Sequence, residues 1–194
     1  MEVPVTAQSP DWWHTEQAAD SLMAGGVWAY PTEAVWGLGC DPWDPEAVER
    51  ILALKGRPWH KGLILVAADT QQLDFLLADA PEEVRKAVDD YWPGANTLLL
   101  PDPGERVSSL VRGDHDRVAV RVPDHPQVRR LCRAFGGPLV STSCNRAGGS
   151  PLRWSWQIHR AFGSELDGIL TGALGGARRP SRIIDPMDGT LLRD

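Results

Sequence analysis

Of the 20 basic residues, three are lysines and seventeen are arginines, and two of those lysines, Lys55 and Lys61, bracket Lys55-Gly56-Arg57-Pro58. Lysine gathered beside an arginine, a glycine and a proline in a Lys-poor chain reads as an anion or phosphate site. Arg offers planar bidentate contacts and Lys a mobile point charge, a pairing suited to a triphosphate. The same residues close a helix signal, so complementing the helix dipole is an equal alternative.

A second group, Ser141, Ser143 and Asn145, sits in Ser141-Thr142-Ser143-Cys144-Asn145 and runs on to Gly148-Gly149. In an extended segment alternate side chains point the same way, which puts all three towards one pocket. Hydroxyls and an amide suit sugar, phosphate or amino-acid groups; a turn held by its own Ser and Asn hydrogen bonds is the other reading. Thr32 and Glu33, just past an early strand, complete such a pocket.

Other chemistries lack their signatures. There is no GxxxxGK[ST] loop and no GxGxxG after a strand. His14, His60, His115, His125 and His159 show no paired metal-ligand spacing, so no metal site is expected. Cys144, without a recognisable His partner, reads as a packed small thiol rather than a nucleophile. Cys40, Cys132 and Cys144 form no CxxC pair, and no disulfide framework is expected.

The elements that must position these groups alternate in type. Helix signals cover about Thr15 to Ala24, Asp44 (as N-cap, with Pro45 first) to Leu54, Thr70 to Ala78 and Pro81 to Tyr91. Two more start at Asp124 and at a Ser155 cap running to Phe162. Strand signals cover Val27 to Tyr30, Leu63 to Ala67, Thr97 to Leu100, Val118 to Val122, Leu139-Val140, Gly168 to Leu170, Ile183-Ile184 and Thr190 to Leu192. Gly37, Gly39 and Asp41-Pro42 mark a loop, and Pro101 to Asp116 is either a lid or a connection. No repeat or linker interrupts residues 1–194, so the expectation is a single-domain α/β fold with a twisted mixed sheet flanked by helices. The site is expected at the carboxyl ends of several strands.

Composition is that of an ordinary globular chain, 42% hydrophobic and 24% charged, with a net charge of −6. That charge argues against indiscriminate nucleic-acid binding, although Arg129, Arg130 and Arg133, and Arg178, Arg179 and Arg182, leave a local basic surface open. No apolar run approaches the roughly 20 residues of a membrane span. MEVPVTAQSPDWW lacks a basic start and an apolar core, so a cytoplasmic protein is expected.

Five ordered motifs resemble the YrdC-like family, in its short bacterial form: Tyr30 to Gly39 (YPTEAVWGLG), Lys55 to Pro58 with Lys61-Gly62, Trp92 to Gly94, Ala119 to Pro123 and Pro138 to Asn145. The resemblance covers nearly the whole chain and implies the family's single-domain fold with a concave ligand groove. It implies an ATP-using nucleotidyltransferase that converts L-threonine and bicarbonate or CO2 to threonylcarbamoyl-AMP with release of pyrophosphate. That product is the precursor of N6-threonylcarbamoyladenosine at position 37 of ANN-decoding tRNAs, delivered by a separate transferase complex. The family's Lys-x-Arg and Ser-x-Asn elements fall on Lys55, Arg57, Ser143 and Asn145 as catalytic residues. Thr32 is implied in the threonine pocket, Lys61 and Ser141 as anion and nucleotide contacts, and Mg2+ as a helper on the phosphates. Arg179 to Asp185 resembles the family's closing segment, which implicates Ser181, with Arg179 or Arg182 as phosphate partners. Cys144 stands where the family usually has Ala.

Two rival functions follow from the same resemblance. One is a double-stranded RNA or tRNA-binding module without catalysis, using the concave surface with Lys55, Arg57, Lys61 and Arg146. The other is a carbamoyl-transfer relative, for whose additional domains a chain of this length has no room.

Overall fold

The computed structural model describes residues 10–193; positions 1–9 of the segment read above for a leader lie outside the described residues. The chain begins with α1 (Pro10–Met23), a hairpin of β1 (Trp28–Pro31) and β2 (Trp36–Gly39), then α2 (Pro45–Lys55) and β3 (Ile64–Val66). Next come α3 (Asp74–Leu77), α4 (Glu82–Tyr91), β4 (Asn96–Pro101), α5 (Ser109–Arg112) and β5 (Arg117–Arg121). The remainder is α6 (Pro126–Phe135), β6 (Leu139–Ser143), α7 (Ser155–Phe162), β7 (Gly168–Ile169), β8 (Arg182–Ile184) and β9 (Leu191–Arg193). The strands form one mixed sheet in the order β7-β1-β2-β6-β3-β5-β4-β8-β9.

Strand alternation assigns each face. Leu65, Val118, Val120, Val140 and Leu38 join the larger core with Val48 and Ile51 of α2, Val84 of α4 and Ile158 of α7. The opposite face carries Tyr30, Val66 and Leu139 against Ala18, Ala19 and Leu22 of α1 and Val128, Leu131 and Cys132 of α6. That second face is covered only in part. Ser141 and Ser143 continue it beyond Leu139, and Arg121 occupies the matching parity on β5, so the uncovered half is polar.

Several local expectations shift. Gly37 and Gly39 lie in β2, not in a loop. A Cβ on Gly39 would sit 2.6 Å from the Tyr30 ring and 2.7 Å from the Val140 carbonyl, so the glycines mark a close approach within a strand. β6 extends through Ser143, which places Ser141 and Ser143 on a strand instead of the following loop. Thr70 to Ala78 is a 3-10 turn, Thr70–Leu73, followed by the short α3. There Gln72 turns inward, accepting from Ala68 N–H at 2.8 Å and donating to the Cys132 carbonyl at 2.9 Å.

Helix starts differ as well. α1 begins at Pro10, ahead of Thr15. His125, not Asp124, caps α6, with Pro126 opening the helix. Ser155 is the first residue of α7 and Trp154 the cap position; Gln157 Oε1 accepts from the N–H groups of Arg153 and Trp154, both at 3.0 Å.

The 101–116 segment is a packed connection. Asp102 accepts from the N–H groups of Arg106 and Val107, and Val107 and Val111 are buried. It docks behind the Lys61-Gly62 corner, where Leu63 N–H donates to the Val111 carbonyl at 2.7 Å and Asp114 N–H to that of His60 at 3.0 Å.

Candidate active site

On the polar half of that face lies a cavity of ≈ 300 Å³. Its wall combines the β1–β2 turn (Thr32 to Gly37), Arg57, Ile64 and Val66 of β3, Arg121, Ser141 to Ser143, and Arg179, Ser181 and Arg193 from the carboxyl-terminal segment. The carboxyl ends of β1 and β6 contribute as expected, but β5 runs antiparallel to β6, so Arg121 reaches the cavity from the opposite end of the strands; the start of β2 and the face of β3 complete the wall.

The Lys-x-Arg corner follows from how α2 ends. Asp44 accepts from the N–H groups of Glu46 and Ala47 to start the helix. Gly56 stops it in a left-handed conformation, φ 60°, while Gly56 N–H donates to the Ala53 carbonyl and Arg57 N–H to that of Leu52. The reversal swings Arg57 to the cavity wall. Its Nε donates to the Gly62 carbonyl and one Nη to that of Lys61, both at 3.0 Å, so the guanidinium is held in place. Lys61 itself is exposed and outside the wall.

Lys55 is only 4% exposed. Its ammonium donates to the backbone carbonyls of Ser143 and Asn145, the latter at 2.8 Å, and burial pulls its pKa down to about 8. It therefore clamps the end of β6 and stands behind the wall, not in it. Cys144 is fully buried between these residues, and burial pushes its thiol up to about 12, too high to supply a thiolate.

The Ser-x-Asn group divides. Ser141 and Ser143 line the cavity; Asn145 does not. Ser143 Oγ donates to Asn145 Oδ1 at 2.6 Å, while the Asn145 amide donates to the carbonyls of Arg146 and Gly149. Both sequence readings thus apply, a lining hydroxyl pair and a self-bonded turn that orients it. Thr32 lines the wall and donates its hydroxyl to the Val35 carbonyl at 2.7 Å, closing the β1–β2 turn.

Ser181 is buried in the wall, its hydroxyl 2.8 Å from Thr97 Oγ1 and 3.1 Å from an Arg193 Nη. Arg193 also donates twice to the Ser181 carbonyl. Arg179 lines the cavity; Arg182, opposite Asn96 in the β4–β8 ladder, does not.

Two arginines of the wall, Arg121 and Arg193, escaped the site list drawn from sequence, whereas Glu33 lines the cavity as the pocket reading expects. Arg121 pairs with Glu33, which also accepts from Asp124 N–H at 3.0 Å; Glu33 Oε2 is buried with no hydrogen-bond partner among the described residues. Arg193 is the second, held below the usual guanidinium range by burial and then by the charges of Arg121 and Arg57. A lone Arg in Val-Ala-Val-Arg-Val was the one available signal for Arg121; nothing local marks Arg193. Four arginines (Arg57, Arg121, Arg179 and Arg193) against Glu33 make the cavity electropositive, a setting for a polyanion next to neutral hydroxyls.

The Sua5/YciO/YrdC family model, described as telomere recombination, matches residues 20–194. The chain is 56% identical over 185 residues to a threonylcarbamoyl-AMP synthase of Marinobacter nauticus, covering 95% of this chain and 97% of the relative. A protein of the same name from Stutzerimonas stutzeri is 52% identical over 181 residues, covering 93% and 97%. Among solved structures, P. abyssi Sua5 complexed with L-threonine aligns with a TM-score of 0.80 and 34% identity over 90% of this chain and 51% of that one, so this chain spans about half its length. E. coli YciO aligns with a TM-score of 0.83 and 26% identity, covering 96% of this chain and 91% of that one.

Proposed function

The chain belongs to the Sua5/YciO/YrdC family, and from that premise we propose that it is a nucleotidyltransferase making threonylcarbamoyl-AMP from L-threonine, bicarbonate or CO2, and ATP. The observation that carries this is one cavity lined by four arginines beside Ser141, Ser143 and Thr32. The threonine amino group joins CO2 (or bicarbonate, with loss of water) to give N-carboxythreonine. An oxygen of the newly formed N-carboxylate then attacks the α-phosphorus of ATP. The bond from that phosphorus to the β-phosphate oxygen breaks, and pyrophosphate leaves with the electron pair.

The wall offers no strong general base, so positioning and charge stabilisation do the catalysis. Arg57 and Lys55 supply fixed positive charge towards the leaving pyrophosphate, Arg57 from the wall and Lys55 from behind the end of β6. Ser143, oriented by Asn145, and Ser141 hold the nucleotide. Thr32 faces the threonine end, and Ser181, held by Thr97 and Arg193, lies with the closing segment on the nucleotide side. Arg179 meets the phosphates, with Lys61 and Arg182 as outer contacts.

No group of three or more His, Cys, Asp or Glu among the described residues could hold a metal ion, and the wall's carboxylate, Glu33, is a single one paired with Arg121 through Oε1. That donor set fits Mg2+ arriving on the ATP phosphates, not in a protein cage. Carried in on ATP, it would lower the negative charge of the phosphates beside Arg57 and Arg179. The product passes in the cytoplasm to a separate complex that transfers the group to tRNA. No helix among the described residues is long and apolar enough to cross a membrane.

Purified protein with ATP, Mg2+ and bicarbonate should release pyrophosphate only when L-threonine is present. Folded protein that shows no threonine dependence overturns this function, and a double-stranded RNA-binding role is then the one to test.

Lys55 gives the activity a pH limit. Its folded pKa of about 8 lies below its ordinary value of roughly 10.4. Between those values the unfolded chain binds the extra proton, so Lys55 makes the fold more stable as pH rises, not less. Pyrophosphate release should nevertheless fall with an apparent pKa near 8, as the fixed charge is lost. Lys55→Arg should shift that limb upward. A pH–rate profile alongside melting temperatures at the same pH values checks both signs.

A further inference from the structure

Residues 171–181 form a strap that runs beside the β1–β2 turn and ends in the cavity wall. Gly175 N–H donates to the Thr32 carbonyl at 3.0 Å and Ala177 N–H to that of Glu33 at 2.9 Å. The strap then delivers Arg179 and Ser181 to the wall. Its earlier half is held by side chains of the α6 start: Gln127 donates to the Thr171 carbonyl at 2.6 Å, and His125 Nε2 lies 3.1 Å from that of Ala173.

His125 is 5% exposed and does not line the cavity. Its Nδ1 accepts from Val128 N–H at 3.4 Å, which caps α6. An accepting Nδ1 leaves the proton on Nε2, where it donates to Ala173, so one neutral tautomer satisfies both contacts. The strap also lies against the ring. A Cβ on Gly175 would stand 3.3 Å from His125 Cδ2 and 3.0 Å from Glu33 Cα, so a side chain there would crowd both.

We infer that His125 is a positioning residue for the adenylation site, tying the strap that carries Arg179 and Ser181 to the fixed start of α6. The imidazole bridges the rigid helix that covers one half of the sheet face and the extended segment that walls the other. Its effect on turnover rests on the function proposed above; its effect on the strap does not.

Two substitutions separate tether from cap. His125→Asn keeps a favoured capping acceptor but is too short to reach Ala173. His125→Gln restores a donor at the reach of Nε2 and gives up the better cap. In ligand-free protein, trypsin cleavage between Arg178 and Arg179 should run several-fold faster in the Asn variant and near the wild-type rate in the Gln variant. KM for ATP should rise roughly five-fold in Asn, about what losing one hydrogen bond costs, with kcat within about two-fold, and return in Gln. Melting temperatures should rank the other way, Asn above Gln. Wild-type cleavage and KM in the Asn variant overturn the inference, as does a KM that follows melting temperature across both variants. Faster cleavage in Asn, with wild-type protein that releases no threonine-dependent pyrophosphate, leaves the tether standing and sinks the function instead.

Discussion

Arg57→Ala should cut threonine-dependent pyrophosphate release by on the order of 10²–10³-fold while the chain stays folded, the range seen when one preorganised charge-stabilising donor is removed. The guanidinium is fixed before substrate arrives, because its Nε and one Nη are already spent on the Gly62 and Lys61 carbonyls. A charge held in advance needs no reorganisation as negative charge develops on the leaving phosphates. Arg57→Lys keeps the charge but not the planar clasp, and should fall between wild type and Ala. The loss should appear mainly in kcat, since a charge matched to the leaving group acts more on the transition state than on bound ATP. If melting temperature and activity instead drop in proportion through Lys and then Ala, Arg57 is only a clasp for the loop and the assignment of its role fails.

The sequence marked this corner because its cause is local. A capped helix and a glycine able to adopt a positive φ turn Arg57 out of α2, and the Lys61 and Gly62 carbonyls that hold it lie only four and five residues on. Ser141 and Ser143 were legible for the same reason, since strand parity alone puts them on one face. Lys55 shows the limit of that logic. Its type and its place at the end of α2 were legible, yet the partners it grips, the carbonyls of Ser143 and Asn145, are about ninety residues away. No pattern near Lys55 could place its ammonium behind the wall.

The glycines of β2 failed for a related reason. Gly37 and Gly39 have loop propensity, but the deciding fact is the Tyr30 ring lying across the hairpin. His125 likewise gave no periodic signal, because its two bonds join a helix start to a strap nearly fifty residues later. The sheet and its flanking helices were visible as alternating apolar patterns. What closes the cavity was not, because it is made of long-range pairs.

Glu33 and Arg121 are the most consequential of those pairs. Both side chains are about nine-tenths buried, and they form an ion pair inside the wall. Arg121→Ala would leave the Glu33 carboxylate buried with only the Asp124 N–H as a neutral donor, and should destabilise the fold by about 3–5 kcal/mol. Chemical denaturation should show this as a lower midpoint with an unchanged slope. Adding Glu33→Gln to Arg121→Met removes both charges while keeping comparable volume, and should recover most of that loss. The two changes are then strongly non-additive, the signature of direct contact. Activity should not return with stability, because the double variant also strips a guanidinium from the four that make the cavity attractive to phosphate. Recovery of both would reduce the pair to a structural device, and the polyanion site would then rest on Arg57, Arg179 and Arg193 alone.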